Sequence, residues 1–371
     1  MAIQTDSRSA LQELIATLQE IDTRWASPEW NLGSPDDVVG AHRALMHMLE
    51  GGLAGMFESD PSAPDFRRIV APWRKFTGDN SDAIYFDAPV SPDHRYTVRG
   101  NMDGAVYVSI TVESGTADGS LGTKTVGVIN DTQFDLDAEG FFTIRLGGEP
   151  SARNWIALPD GASRITTRHY YEGERSASAD PARHPFLAIR CEDVDRAPAP
   201  PTDAVVAAGI RRVAQFVRSR TLGMPPMAAQ KPPAFLSLVP NSFPAPVPPG
   251  DMGLAAFDAA YSMAPFLLGP EQALVITGRW PDCRFGNVCL WNRFQQTLDY
   301  ANRPISLNRR QTRLEPDGSF RIVLAHRDPG LPNWLDTEGR AFGLVFWRFF
   351  LPQGAIETPR AEVVDFSALS S

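Results

Sequence analysis

The chain has 371 residues, a net charge of −9 and an isoelectric point near 5.2, so it lacks the basic surface that a binder of nucleic-acid phosphates needs. Its 43% hydrophobic and 21% charged residues are those of a globular protein, and its length exceeds the roughly 100–200 residues of one domain, so two domains are expected. The three cysteines, Cys191, Cys283 and Cys289, form no C-x-x-C pair, which argues against zinc and redox motifs and fits a reducing compartment.

The N-terminal stretch "MAIQTDSRSALQELIATLQEIDTRW" has neither a basic n-region nor an apolar h-region, and no apolar run approaches the ~18 residues of a membrane span. A soluble, cytoplasmic protein is expected. Leu11, Leu14, Ile15, Leu18 and Ile21 recur at helical spacing and predict an amphipathic helix over 7–24. Ser34-Pro35-Asp36-Asp37 reads as a helix start, with Ser at the cap and Pro in the first turn, and the helix should run to Met56. From Ala83 to about Ile189 alternation such as "AVYVSITV" and "FFTIRL", broken by Gly, Asn and Asp, is the pattern of strands and turns. A third helix fits Asp203 to Ser219. The stretch "GMPPMAAQKPPAFLSLVPNSFPAPVPPG" that follows cannot be helix or central strand, yet it is apolar enough to lie packed across a surface. Strand grammar returns after Asp251 and lasts to about Val364.

The two β regions share text. "SPDHRYTVRG" (91–100) and "GPEQALVITG" (269–278) match without a gap, as do "DAEGFFTIRL" (137–146) and "EPDGSFRIVL" (315–324). "EPSARNWIALPDG" (149–161) and "DPGLPNWLDTEG" (328–339) follow, each with Asn-Trp at the same offset. "RITTRHYY" and "LVFWRFFL" then align Arg168 with Arg348. Four collinear matches point to an internal duplication of a β domain. The Asn-Trp pair reads as a shared turn, Asn bonding the backbone and Trp capping a core. A mid-strand Arg among aromatics is either paired inside or set at the mouth of a pocket; its presence in both copies favours the structural pair.

"YSMAPF" (261–266), "NVCLWNR" (287–293), "PDGSF" (316–320), "DPGLPNWL" (328–335) and "GLVFWRFFLP" (343–352) come in the order of a bacterial domain-of-unknown-function family, number 1214, which the stretch 251–352 resembles. The N-terminal half is loosely similar to the β domain, number 1254, that often precedes it. Many members of that family are exported. The resemblance implies a jelly-roll-like β sandwich and carries no catalytic set.

Polar residues present in only one copy are the candidates for chemistry. Alternation puts Asn287, Cys289, Trp291, Arg293 and Gln295 on one face, with Asn292 beside them; such a mixture suits a ligand pocket or, equally, an exposed sheet face. His326 ends a strand near Asp328, a pairing that could carry protons or merely hold a turn. His169 and Tyr171 form a second His/Tyr candidate, alternatively core. His42 and His47 read as surface or interface. No G-x-S-x-G elbow occurs, which argues against a common serine hydrolase, and without an H-E-x-x-H, an H-x-H pair or a phosphate loop neither a metal nor a nucleotide cofactor is expected. The basic Asn308-Arg309-Arg310 reads as a solvated turn.

The fold expected is mainly β: two jelly-roll-like sandwiches from a duplication, with a helical N-terminal segment (1–60), a first sandwich (61–195), a helix and proline-rich connector (196–250) and a second sandwich (251–371). With an aromatic fraction of 10%, the function expected is a cofactor-independent lyase or hydrolase for a bulky apolar small molecule such as an aromatic, terpenoid or steroid. A non-catalytic binding protein for such a ligand, or a structural role, is the alternative. His326, Asp328, Arg293, His169 and Tyr171 are the catalytic candidates, and Asn287, Trp291, Asn292 and Tyr261 the ligand-binding ones. The pocket is placed in the second copy or at the junction of the two. The partners expected are that ligand and a second copy of the chain in a homodimer, with no nucleic acid and no membrane span.

Overall fold

A computed structural model describes residues 3–195, 197–224, 232–250 and 253–370. Among these the chain is mainly β, with 17 strands in four sheets and three α-helices. Helix α1 (Asp6–Glu20) starts on Thr5, whose side chain accepts from the Arg8 N–H, and loosens into a π turn at Ile21–Trp25. Helix α2 (Pro35–Met56) starts on a capping box: Ser34 Oγ accepts from the Asp37 N–H while the Asp37 carboxylate accepts from the Ser34 N–H. Helix α3 (Asp203–Ser219) is capped by Thr202. Ile21, Trp25, Leu45, Met48, Val213 and Phe216 close these helices into one layer, so the N-terminal segment and the connector helix form a single body.

The first sandwich has an inner sheet ordered β1 (Arg67–Arg68), β2 (Ala83–Pro89), β8 (Ala162–Tyr170), β4 (Tyr107–Ser114), β5 (Lys124–Asn130). Its outer sheet runs β7 (Trp155–Ile156), β6 (Phe141–Leu146), β3 (Tyr96–Asn101), β9 (Leu187–Cys191). The second sandwich repeats this order, with no counterpart of β1 among the described residues. Its inner sheet is β10 (Ala259–Leu267), β16 (Phe342–Phe350), β12 (Phe285–Trp291), β13 (Ser306–Asn308). Its outer sheet is β15 (Trp334–Asp336), β14 (Phe320–Ala325), β11 (Gln272–Gly278), β17 (Arg360–Asp365). Each sandwich has its own apolar core, around Val98, Ile110 and Phe142 in the first and Ile276, Val288 and Trp347 in the second. A third core, with Tyr107, Tyr170, Phe285 and Phe350, joins the two inner sheets.

The duplication extends to single hydrogen bonds. Trp155 opens β7 parallel to β6, and Trp334 opens β15 parallel to β14, at equivalent registers. The preceding Asn154 and Asn333 both take left-handed backbone, φ 56° and 58°. Asn154 Oδ1 accepts from the Asp135 N–H and its amide donates to the carbonyls of Asp135 and Thr143; Asn333 does the same with Arg313 and Arg321. Asparagine tolerates that backbone and ties it down with its own amide, which is why the turn is written twice. The shared Gly100 and Gly278 also have a cause. A Cβ on either would come within 2.5 Å and 2.9 Å of the Phe142 and Phe320 rings on the neighbouring strand. Asn333→Ala should cost about 1–3 kcal/mol through the carbonyls and N–H it strands. Asn154→Ala, at the more exposed turn, should cost less; urea midpoints of the two variants check the order.

Among the connector residues, 225–231 lie outside the described ones. Residues 232–250 pack along β10, as the apolar content of the segment predicts. Leu236 bridges to Met263, Val247 bridges to Tyr261, and Phe235 is buried. A proline-rich segment suits an edge, where a missing N–H breaks no ladder.

Candidate functional site

The two inner sheets do not touch everywhere. A cavity of about 310 Å³ opens between them, within the roughly 300–1,000 Å³ of ligand pockets. Both copies and the connector wall it. Phe76, Phe235, Met263, Trp291 and Phe346 supply apolar surface, while Arg168, Arg348, Arg220, Tyr85, Tyr170 and Tyr261 bring polar atoms. A second chamber of about 180 Å³ adjoins it under the helical layer, sharing Thr77, Met224, Leu236 and Met263 and adding Trp25, Trp30, Leu344 and Phe342.

Arg168 and Arg348 are the mid-strand arginines that the duplication aligns. Tyr85 faces Arg168 across β2–β8, and Tyr261 faces Arg348 across β10–β16. Each arginine reaches the opposite copy: Arg168 Nη2 donates to Leu254 O at 3.1 Å, and Arg348 Nη2 donates to Gly78 O at 2.6 Å. Asp258 of the second copy accepts from Tyr107 and Asn130, while Asp82 of the first accepts from Asn287. Equivalent residues exchanged in this way are what an approximate twofold relation between the copies produces. The Tyr85 and Tyr170 hydroxyls lie 3.0 Å apart, and burial pushes both phenols above their ordinary pKa, so they act as hydrogen-bond donors. Burial lowers the pKa of Arg220 to about 9 against the opposing pull of Asp87.

The sequence candidates divide sharply. Trp291 and Tyr261 line the cavity. Asn287 is fully buried behind it, bonded to Asn80 and Asp82, and Asn292 holds the turn after β12 by accepting from the Phe294 and Gln296 N–H groups. Arg293 lies past the strand, on the second chamber, where it pairs with Asp37 and the Asn31 carbonyl. His326 does not join it. It stands in the outer sheet region, with Nδ1 2.6 Å from Thr337 Oγ1 and Nε2 3.1 Å from Gly269 O, and lines none of these chambers. Asp328 is exposed and bonds the Gly330 N–H rather than the histidine. The constellation of His326, Asp328 and Arg293 is therefore not assembled. His169 and Tyr171 miss the cavity for a simple reason. Strand alternation sends Arg168 and Tyr170 towards it and their neighbours to the other face. There His169 Nε2 meets Asn101 O, its pKa lowered to about 4 by burial, and the Tyr171 hydroxyl donates to Asp103.

Beside the cavity lies a buried polar cluster. Asp82 is fully buried, and burial raises its pKa from 3.8 to about 7 against the opposing amides of Asn287 and Asn308. A carboxyl whose folded pKa is raised favours the fold below its unfolded value, and that benefit is lost as pH rises through about 7. Asp82→Asn should therefore be more stable than the parent at pH 8, by a few kcal/mol at most, with the gap closing towards pH 4. A gap independent of pH in urea titrations would refute that assignment.

Two other features bear on the expectations of no metal and no nucleic acid. His94, Cys191 and Asp193 bring ligand atoms within 4.8 Å of one another, but Asp193 already accepts from the Arg95 backbone at 2.6 Å and its Nε at 2.9 Å. In the basic turn Arg309 pairs with Glu172 and Arg310 with Glu174. No helix among the described residues is long and apolar enough to cross a membrane.

Residues 273–354 match the model of the family described as protein of unknown function (DUF1214). No curated protein matches the chain. Among solved structures, an uncharacterized protein from Burkholderia cenocepacia superposes with a TM-score of 0.82 at 25% identity, covering 97% of both chains. The VPA0106 protein from Vibrio parahaemolyticus superposes with a TM-score of 0.50 at 13% identity, covering 97% of this chain and 100% of its own. These likenesses support the fold and leave the chemistry to the cavity.

Proposed function

We propose that the chain is a binding protein that holds one bulky, largely apolar small molecule between its two sandwiches. The observation that carries this reading is convergence. Aromatic and aliphatic side chains from both copies and the connector enclose one cavity, and a few buried polar groups point into it. A lyase or hydrolase needing neither metal nor nucleotide is the second reading. It is favoured by the Tyr85–Tyr170 pair beside Arg348, which could donate a proton to a developing oxyanion. The raised phenol pKa values suit donors and not bases, and this favours binding. The unpaired, buried thiols Cys191, Cys283 and Cys289 support a cytoplasmic setting as part of the proposal. Native mass spectrometry of freshly purified protein tests it. A single extra small-molecule mass, lost on denaturation, is expected. An unliganded mass that no apolar compound shifts would overturn it.

A further inference from the structure

The two copies are not symmetric where it matters most. Ser109 faces Arg168 across β4–β8, and Asn287 faces Arg348 across β12–β16, so Glu113 and Trp291, four residues further on, hold equivalent places. In the first copy Glu113 is 1% exposed and its carboxylate lies 3.8 Å from Arg168 Nη2. In the second copy the indole of Trp291 stands there instead. The Arg348 guanidinium sits 5.0 Å from that ring and 4.2 Å from the Phe346 ring, is 3% exposed, and its Nη1 has no hydrogen-bond partner. Asp79 and Asp82 lie near enough to feel its charge, but both Asp79 oxygens accept from Thr297, Asp82 Oδ2 accepts from Asn287, and Asp82 Oδ1 has no hydrogen-bond partner. Among the described residues none forms an ion pair with Arg348, although the same fold builds one for Arg168. A buried cation without its anion is costly, and a guanidinium is well matched to a carboxylate.

The strand also sets a direction. Arg348, Phe346, Leu344 and Phe342 alternate onto one face of β16 over about 20 Å. The first two line the main cavity and the last two the adjoining chamber.

We propose that the ligand is a long-chain carboxylate whose head group gives Arg348 the countercharge that Glu113 gives Arg168, and whose tail follows β16 into the second chamber. This rests on the cavity being a binding site. Calorimetric titration with dodecanoate, dodecyl phosphate and dodecanol separates the two claims. Wild type should bind dodecanoate at least ~10-fold more tightly than dodecanol, the scale of one charge-assisted bond. Arg348→Met should abolish the preference for dodecanoate over dodecanol, and dodecanol that is still bound shows that the cavity is intact. Leu344→Trp, which obstructs the far chamber, should weaken dodecanoate while sparing hexanoate; this arm holds even if the arginine variant fails to fold. Equal affinity for acid and alcohol in wild type would overturn the anionic head and leave the cavity reading standing. A preference for the phosphate over the carboxylate would overturn the carboxylate assignment. A preference for the acid that survives in Arg348→Met would remove the head from Arg348. Binding of none of the three would overturn both readings.

Discussion

Replacing Glu113 with alanine is expected to destabilise the protein by about 3–5 kcal/mol, because it leaves a buried guanidinium unpaired. Glu113 is the only carboxylate that forms an ion pair with Arg168 among the described residues, at 3.8 Å, and both side chains are about 5% exposed or less. Its oxygens also accept from the hydroxyls of Thr111 and Thr125 and from the Leu254 N–H, at 2.8, 2.8 and 3.1 Å. The Leu254 bond ties the first sandwich to the start of the second. Glu113→Gln keeps most of these bonds and removes only the charge, so it should cost less than the alanine. Guanidinium unfolding of the two variants measures the difference. Equal, small losses would mean that Arg168 tolerates solitude, and the contrast drawn with Arg348 would lose its basis.

Trp347→Ala should cost about 3–5 kcal/mol for another reason, the cavity it opens in the second core. Trp347 is fully buried. Its ring is stacked on Phe320 at 5.4 Å and Phe349 at 6.2 Å, and meets Trp280 at 5.5 Å. It alternates with Phe346 and Arg348, so it points away from the inter-sandwich cavity. The same unfolding experiment should therefore show a large loss of stability, while ligand retention at temperatures where the variant is folded stays unchanged. Loss of ligand at those temperatures would place the functional cavity on the wrong face of β16.

Much of the fold was legible in the sequence because its signals are local. The Ser34 capping box, the start of α3 at Asp203 and the Asn-Trp turns all rest on contacts within a few residues. The cavity was not legible in this way. In the sequence, polar residues found in only one copy read as functional and shared residues as structural. That logic fails at an approximate twofold, where shared residues from the two copies converge. Arg168 and Arg348, Tyr85 and Tyr261 are such pairs. The stretches "DAIY" at 82–85 and "DAAY" at 258–261 carry the missing signal, since they align those tyrosines and the exchanged Asp82 and Asp258. Trp291, present in only one copy, does line the cavity, at the place where the first copy has the Glu113 carboxylate. A histidine at a strand end near an aspartate looks like a proton carrier in one dimension, whereas the two nitrogens of His326 face Thr337 and Gly269.

A crystal structure of the protein as purified would show directly whether the inter-sandwich cavity holds a carboxylate on Arg348. Continuous density is expected for one elongated molecule in the inter-sandwich cavity, in contact with Phe346 and with an oxygen on Arg348 Nη1. An inter-sandwich space that is collapsed, with Arg348 Nη1 paired to a carboxylate of the chain itself, would contradict it.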